Sequence, residues 1–129
     1  MRIGRRISAV AAAAILLAAC DDTEPKTESA YCGEIAANLA ELSSPPITTA
    51  DDIRRVLRAW EAVADAAPVA VEAEWDTMVD AMKTAITVDP NEPESLQKVA
   101  DTARASEPAA KRVVSYTQER CGITIGIAP

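Results

Sequence analysis

Histidine is absent from this 129-residue chain. Without it, the Ser-His-Asp and Cys-His arrangements of nucleophilic enzymes cannot be built, and neither can a zinc or haem site that relies on histidine ligands. Glycine is scarce, and its four positions (4, 33, 122 and 126) form no phosphate-binding loop. We therefore expect no catalytic residue and no cofactor, and an enzyme is the least favoured function.

Large aromatic side chains are also scarce. Phenylalanine is absent, and the other aromatic residues are Tyr31, Trp60, Trp75 and Tyr116. A core must therefore be built mostly from Ala, Val, Leu, Ile and Met, which permit close helix packing although the smaller of them bury little area each.

Carboxylates are the plentiful reactive groups. Glu72, Asp76 and Asp80 lie four residues apart, on one face of a predicted helix. Oxygen ligands of this kind suit Ca²⁺ or Mg²⁺, but no loop supplies the backbone carbonyls that calcium sites use. The pattern therefore favours a solvated helix face, and we predict no metal site.

The only long apolar run, Ile7 to Leu17, follows Arg2, Arg5 and Arg6. A basic start and a short apolar stretch are typical of a secretory signal peptide. The run is too short to stay as a membrane span, which needs about 20 apolar residues. We therefore predict a signal peptide at residues 1–19. Sec export is favoured over twin-arginine export, which Arg5-Arg6 matches only in part.

The run ends in Leu17-Ala18-Ala19-Cys20, which resembles the lipobox of bacterial lipoproteins. The resemblance implies that a diacylglyceryl group is attached to the sulfur of Cys20 and that the signal is removed just before it. It therefore implies a protein anchored by lipid at the extracytoplasmic face of the cell membrane. Simple secretion is the alternative, because cleavage after Cys20 would leave small residues at the two positions that a signal peptidase recognises.

Basic residues become scarcer still once the signal is removed. Residues 1–19 contain three arginines and no acid, so the chain from Cys20 has 10 basic and 20 acidic residues. That balance argues against nucleic acid as a partner, which needs a basic footprint, and against electrostatic docking on anionic lipid. Contact with the membrane must then come from the lipid itself, and two acyl chains hold firmly where one does not.

Cysteine is limited to three residues, an odd number for an exported chain. With Cys20 lipidated, Cys32 and Cys121 remain as an even pair in an oxidising compartment, where a disulfide is expected. Catalytic dithiols usually lie close together in sequence, so this distant pair favours a structural bridge over a redox-active one.

The sequence after the signal peptide predicts a series of helices. Residues 20–29 form a polar linker, and helical periodicity begins at Ala30 and stops at Ser43-Ser44-Pro45-Pro46. Thr48 or Thr49 caps a second helix, Pro68 suits the first turn of a third, and a fourth begins near Pro93. Ser106-Glu107-Pro108 predicts a break or a sharp kink before a last helical stretch that ends at Cys121, with Gly122 after it.

These elements predict an all-α fold. We expect a four-helix up-and-down bundle over residues 30–122, or five helices if the proline breaks the chain, closed by one disulfide. Residues 123–129 alternate isoleucine with other residues and predict an extended tail, either strapped onto the bundle or frayed.

Cys32 near the start of the first helix, Trp75 in a proline-led helix and the final "RCGI" form a further pattern. This pattern is similar to small exported helical domains of actinobacteria, most of which have no assigned function. The resemblance spans residues 31–125; it implies a disulfide-linked helical domain and brings no catalytic residues.

Two binding functions follow from these observations. The leading hypothesis is a non-enzymatic module that binds a protein partner at the cell envelope. The alternative is a carrier of a small apolar ligand, because the side chains of Trp60, Trp75, Met78 and Met82 can line a pocket between the second and third predicted helices. Ordinary core packing is the simpler explanation of these four residues.

Overall fold

The computed structural model describes residues 26–126. The predicted signal peptide, the lipobox and Cys20 lie outside the described residues, as do the last three positions of the tail. Residues 26–126 contain no strand, which confirms the all-α prediction. The described helices are α1 (Glu28–Ala37), α2 (Leu39–Ser43), α3 (Ala50–Ala66), α4 (Glu72–Ile86) and α5 (Pro93–Cys121).

The first predicted helix is divided into two. The helix α1 ends at Ala37, and Asn38 leaves the helical conformation before α2 begins. The amide nitrogen of the Asn38 side chain donates to the carbonyl of Glu34 at 2.9 Å, and the backbone N–H of Asn38 donates to the same carbonyl. A short polar side chain that bonds the nearby backbone in this way offers the chain an alternative to continuing the helix. The sequence periodicity alone did not reveal this break.

Of the two alternatives predicted at Pro108, the break is wrong. The helix α5 runs without a break from Pro93 to Cys121 and contains Pro108 in its interior. A proline there removes the hydrogen bond to the carbonyl of Arg104. The rest of a 29-residue helix supplies enough bonds, and packing along α4 supplies enough contact, for the helix to continue across that one gap. Residues 26–126 therefore form five helices, and the additional one comes from the break at Asn38.

The helix α4 begins later than its proline suggests. Val71 donates its N–H to the carbonyl of Pro68 at 2.9 Å, which closes a turn, and regular helix starts only at Glu72. At the other end of the chain, Gly122 adopts a left-handed conformation with φ of 65° and ends α5. That conformation suits glycine, as the sequence predicted for this position.

Of the two predicted caps, Thr49 is the one that begins α3, and it forms a capping box with Asp52. The hydroxyl of Thr49 accepts from the N–H of Asp52, and the Asp52 carboxylate accepts from the N–H of Thr49 at 2.9 Å. The same carboxylate accepts from the N–H of Thr48 at 3.1 Å and from the guanidinium of Arg55. The Thr48 N–H, followed by Arg55, holds the pKa of Asp52 well below its usual range.

This capping box predicts a pH dependence of stability. Because the folded state lowers the pKa of Asp52, the carboxylate stabilises the fold above its unfolded pKa of about 3.9, and the contribution is lost as the pH falls below that value. We expect the difference in melting temperature between the wild type and Asp52→Asn to narrow steadily below about pH 4. Asp51→Asn, in the same turn, is the matched control. A difference independent of pH would contradict the prediction.

The core lies where α1, α3, α4 and α5 meet. Tyr31, Ile35, Val63, Trp75 and Val113 are fully buried there. Ile125 of the tail is also buried, so the described part of the tail packs on the helices. The close approach of Gly126 to the backbone of Ser43 places this tail beside α2.

The pattern of contacts between helices leaves one side of the domain open. The helix α4 contacts α3 and α5, while α1 also contacts α3 and α5. Within residues 26–126, no Cα atom of α3 lies within 8 Å of a Cα atom of α5. The short α1 therefore bridges α3 and α5 only near the end of the molecule where α5 finishes.

Candidate functional site: the groove between α4 and α5

A disulfide joins the two ends of the helical domain. Cys32 in the first turns of α1 is bonded to Cys121 at the end of α5, with 5.4 Å between their Cα atoms. This confirms the predicted bridge. Close by, the carboxylate of Glu28 pairs with the guanidinium of Arg120 at 3.8 Å. These contacts hold α1 against the last turns of α5 and away from the first half of that helix.

Three buried polar side chains reinforce this end of the core. The indole N–H of Trp75 donates to the hydroxyl of Tyr31 at 3.0 Å, and that hydroxyl lies 2.6 Å from the hydroxyl of Thr117. All three side chains are fully buried. Burial raises the pKa of the Tyr31 phenol, so it stays protonated at physiological pH. The three residues tie α1, α4 and α5 together.

Beyond the reach of α1, the domain has a half-open apolar groove with a volume of about 530 Å³. Its walls are α4 and α5, and α3 contributes one residue. Apolar side chains dominate the lining: Trp60, Met78, Ala81, Met82, Ala85, Val99, Ala103, Ala110 and Val114. The volume falls within the range of about 300–1,000 Å³ that is typical of small-molecule sites.

The groove exists because α1 is too short to cover the whole length of α5. The helix α1 has ten residues, about 15 Å of helix, whereas the 29 residues of α5 extend for about 43 Å. No residue of α1 or α2 lines the groove. The facing sides of α4 and α5 are therefore left uncovered by the first part of the chain.

Trp60 supplies an aromatic wall of the groove. Its ring packs edge to face on Trp75, with 6.2 Å between ring centroids and an interplanar angle of 87°. Within the described residues, its indole nitrogen is buried and has no hydrogen-bond partner. Because that nitrogen is inaccessible, Trp60 offers the groove its apolar surface and no hydrogen bond.

Charged residues line the α5 side of the groove. The guanidinium of Arg104 pairs with Asp101 at 2.8 Å, and the ammonium of Lys111 pairs with Glu107 at 2.7 Å. Lys111 lowers the pKa of Glu107 by donating a hydrogen bond to it. Both pairs are largely exposed, so they contribute little to stability and can exchange partners.

The structure places the four candidate pocket residues in two environments. Trp60, Met78 and Met82 line the groove, whereas Trp75 is absent from its lining and lies in the core beneath Trp60. The groove also lies between α4 and α5, not between the second and third predicted helices, which correspond to α3 and α4. The prediction of a break or kink near Pro108 did not place residues on both sides of it along one wall of a groove. Val99, Ala103, Ala110 and Val114 nevertheless share one face of α5.

The three spaced carboxylates do not form a common site. Glu72 pairs with Lys26, while Asp76 and Asp80 lie with Glu61 and Lys83 along a more polar cleft between α3 and α4. The ammonium of Lys83 bonds Glu61 at 3.0 Å there. In the part of the chain that the structure describes, no group of three or more His, Cys, Asp or Glu side chains is arranged to hold a metal ion.

None of the helices between residues 26 and 126 is both long enough and apolar enough to cross a membrane. Comparison of the chain with protein-family models, with curated proteins and with solved structures found no match.

Proposed function

We propose that this protein is an exported lipoprotein, held at the extracytoplasmic face of the cell membrane through Cys20, whose helical domain is a non-enzymatic binding module. The binding function is inferred from the apolar groove between α4 and α5. Its apolar lining supports a small apolar ligand more directly than a charged or nucleic-acid ligand. Neither a metal nor a cofactor has a part in this proposal.

The anchoring part of the proposal rests on the N-terminal sequence. A signal peptide followed by Leu17-Ala18-Ala19-Cys20 would place the lipid six residues before Lys26. Lys26 itself pairs with Glu72 at the beginning of α4. The domain would thus stand close to the membrane on a short polar linker.

A four-helix up-and-down arrangement is the finer description of the fold that we propose. The ring of contacts from α1 to α3, α4, α5 and back to α1 supports it. In this arrangement α1 and α2 together take the place of the first helix of the bundle, and α2 turns toward α3. Only α1 then lies beside α5 in that place, and it covers part of the length of α5, which accounts for the groove.

The anchor predicts the location of a variant without the lipid. We expect Cys20→Ser to move the protein from the membrane fraction to the soluble exported fraction, because the acidic domain has no other strong affinity for a membrane. Fractionation followed by intact-mass measurement checks this result. The wild type should carry added acyl mass at Cys20, and a Cys20→Ser protein that stays with the membrane would overturn the anchor.

The groove predicts binding of an apolar probe. We expect the soluble Cys20→Ser protein to bind the apolar dye diphenylhexatriene, and Ala103→Glu to weaken binding about ten-fold or more because it places a carboxylate in an apolar site. Dye fluorescence measures the affinity. Ala105→Glu is the control, since Ala105 is also exposed on α5 and does not line the groove. Equal weakening by both variants would exclude the groove as the site.

A protein partner at the envelope is the second candidate. Ile86, Val88 and Leu96 are exposed apolar residues near the groove-lining Ala85 and Val99. They extend the apolar surface at the end of α4 and the beginning of α5. Crosslinking in cells tests this candidate. We expect a partner to be crosslinked to the wild type and to Ala105→Glu, and not to Ala103→Glu.

A further inference from the structure

We propose that the groove between α4 and α5 binds one acyl chain of the protein's own lipid anchor on Cys20. This inference rests on the proposed lipidation and names the occupant of the proposed site. An acyl chain of the anchor that leaves the membrane would then be bound in the groove. Size, reach and charge each support this occupant.

The groove has the capacity for a long hydrocarbon chain. A cavity of about 150 Å³ accommodates benzene, so a groove of about 530 Å³ has room for about twenty carbon atoms. The side chains of Met78 and Met82 adapt to a flexible chain better than branched side chains do. Because the indole nitrogen of Trp60 is inaccessible, the groove lacks a directional contact there, as suits a ligand that has no polar atoms along its length.

The anchor can reach the groove. The six residues from Cys20 to Lys26 extend for up to about 20 Å. Lys26 is held beside Glu72, on the face of α4 that carries Asp76 and Asp80, and Met78 lies about 9 Å further along the helix axis on a different face. The linker must therefore pass around α4, and its length allows the cysteine to approach the near end of the groove.

Charge favours the same placement. Asp21 and Asp22 follow Cys20 directly and would enter the groove region together with the acyl chain. Arg104 and Lys111 line the groove together with one acid, Glu107, whereas the chain after residue 19 has twice as many acids as bases. These two cations have exposed partners, so the incoming aspartates can compete for them at little cost.

The consequence for the protein is a change in the strength of its anchor. Two acyl chains hold a protein firmly in a membrane, whereas one chain gives only marginal, reversible binding. A groove that takes one of the two chains would therefore loosen the protein from the membrane. It would also keep that chain out of water during transfer.

Two native methionines provide the test. Removal of residues 1–19 leaves Met78 and Met82, and both line the groove. Lipidated protein, purified from membranes and freed of detergent, is exposed to hydrogen peroxide beside Cys20→Ser protein. We expect Met82 to oxidise about ten-fold more slowly in the lipidated form, which corresponds to an occupancy of about 90%. Met78, which is already buried, serves as the internal reference.

Groove variants and mass measurement separate the outcomes. In the lipidated protein, Ala103→Glu should restore rapid oxidation of Met82, while Ala105→Glu should leave it protected. Equal oxidation of Met82 with and without the lipid would overturn this inference and leave the proposed anchor intact. Equal protection in both forms would also overturn it, because the occupant would then be a free membrane lipid. Absence of acyl mass on Cys20 would remove the proposed anchor as well.

Discussion

Replacing both Cys32 and Cys121 by serine is expected to lower the free energy of unfolding by about 4–5 kcal/mol. The disulfide joins residues 89 positions apart, and closing so long a loop removes much of the conformational entropy of the unfolded chain. Small domains have net stabilities of about 5–15 kcal/mol, so the loss is a large fraction of the total. We expect the double variant to be partly unfolded at 37 °C.

Urea unfolding of the soluble Cys20→Ser form, followed by tryptophan fluorescence, measures this effect. Reduction of the protein with intact cysteines is the control, because it breaks the same bond without changing the sequence. Both treatments should shift the midpoint to a similar urea concentration. A midpoint unchanged by either treatment would show that the disulfide does not constrain the unfolded chain.

Tyr31→Phe is expected to destabilise the domain by about 2–3 kcal/mol. It leaves the indole N–H of Trp75 buried without a partner, and the rigid ring cannot turn to find another one. The hydroxyl of Thr117 loses its partner too, but it can rotate toward the helix carbonyl four residues before it. Most of the cost therefore comes from Trp75.

The same unfolding measurement distinguishes this network from simple aromatic packing. Tyr116→Phe is the matched control, because Tyr116 packs on Tyr31 and its hydroxyl has no hydrogen bond within residues 26–126. We expect Tyr116→Phe to change stability by no more than about 0.5 kcal/mol. Thr117→Val should cost about 1 kcal/mol, since Tyr31 still accepts from Trp75. Equal effects from the two tyrosine variants would mean that the hydroxyl of Tyr31 contributes nothing.

Local rules predicted the elements that depend on neighbouring residues. The cap of α3, predicted at Thr48 or Thr49, and the left-handed glycine at position 122 follow from backbone chemistry within a few residues. The pairing of Cys32 with Cys121 followed from the cysteine count. The same local rules allowed a break at Pro108, which does not occur because packing against α4 and the length of α5 outweigh one missing hydrogen bond.

The sequence by itself determined an all-helical, disulfide-linked domain, because capping, apolar periodicity and cysteine number are properties of the chain alone. Only the tertiary structure decided that the chain turns at Asn38, that α5 continues past Pro108, and that the groove lies between α4 and α5. A groove is a place that a helix does not fill, so it depends on the relative lengths and positions of helices distant in sequence. No pattern within one helix contains that information.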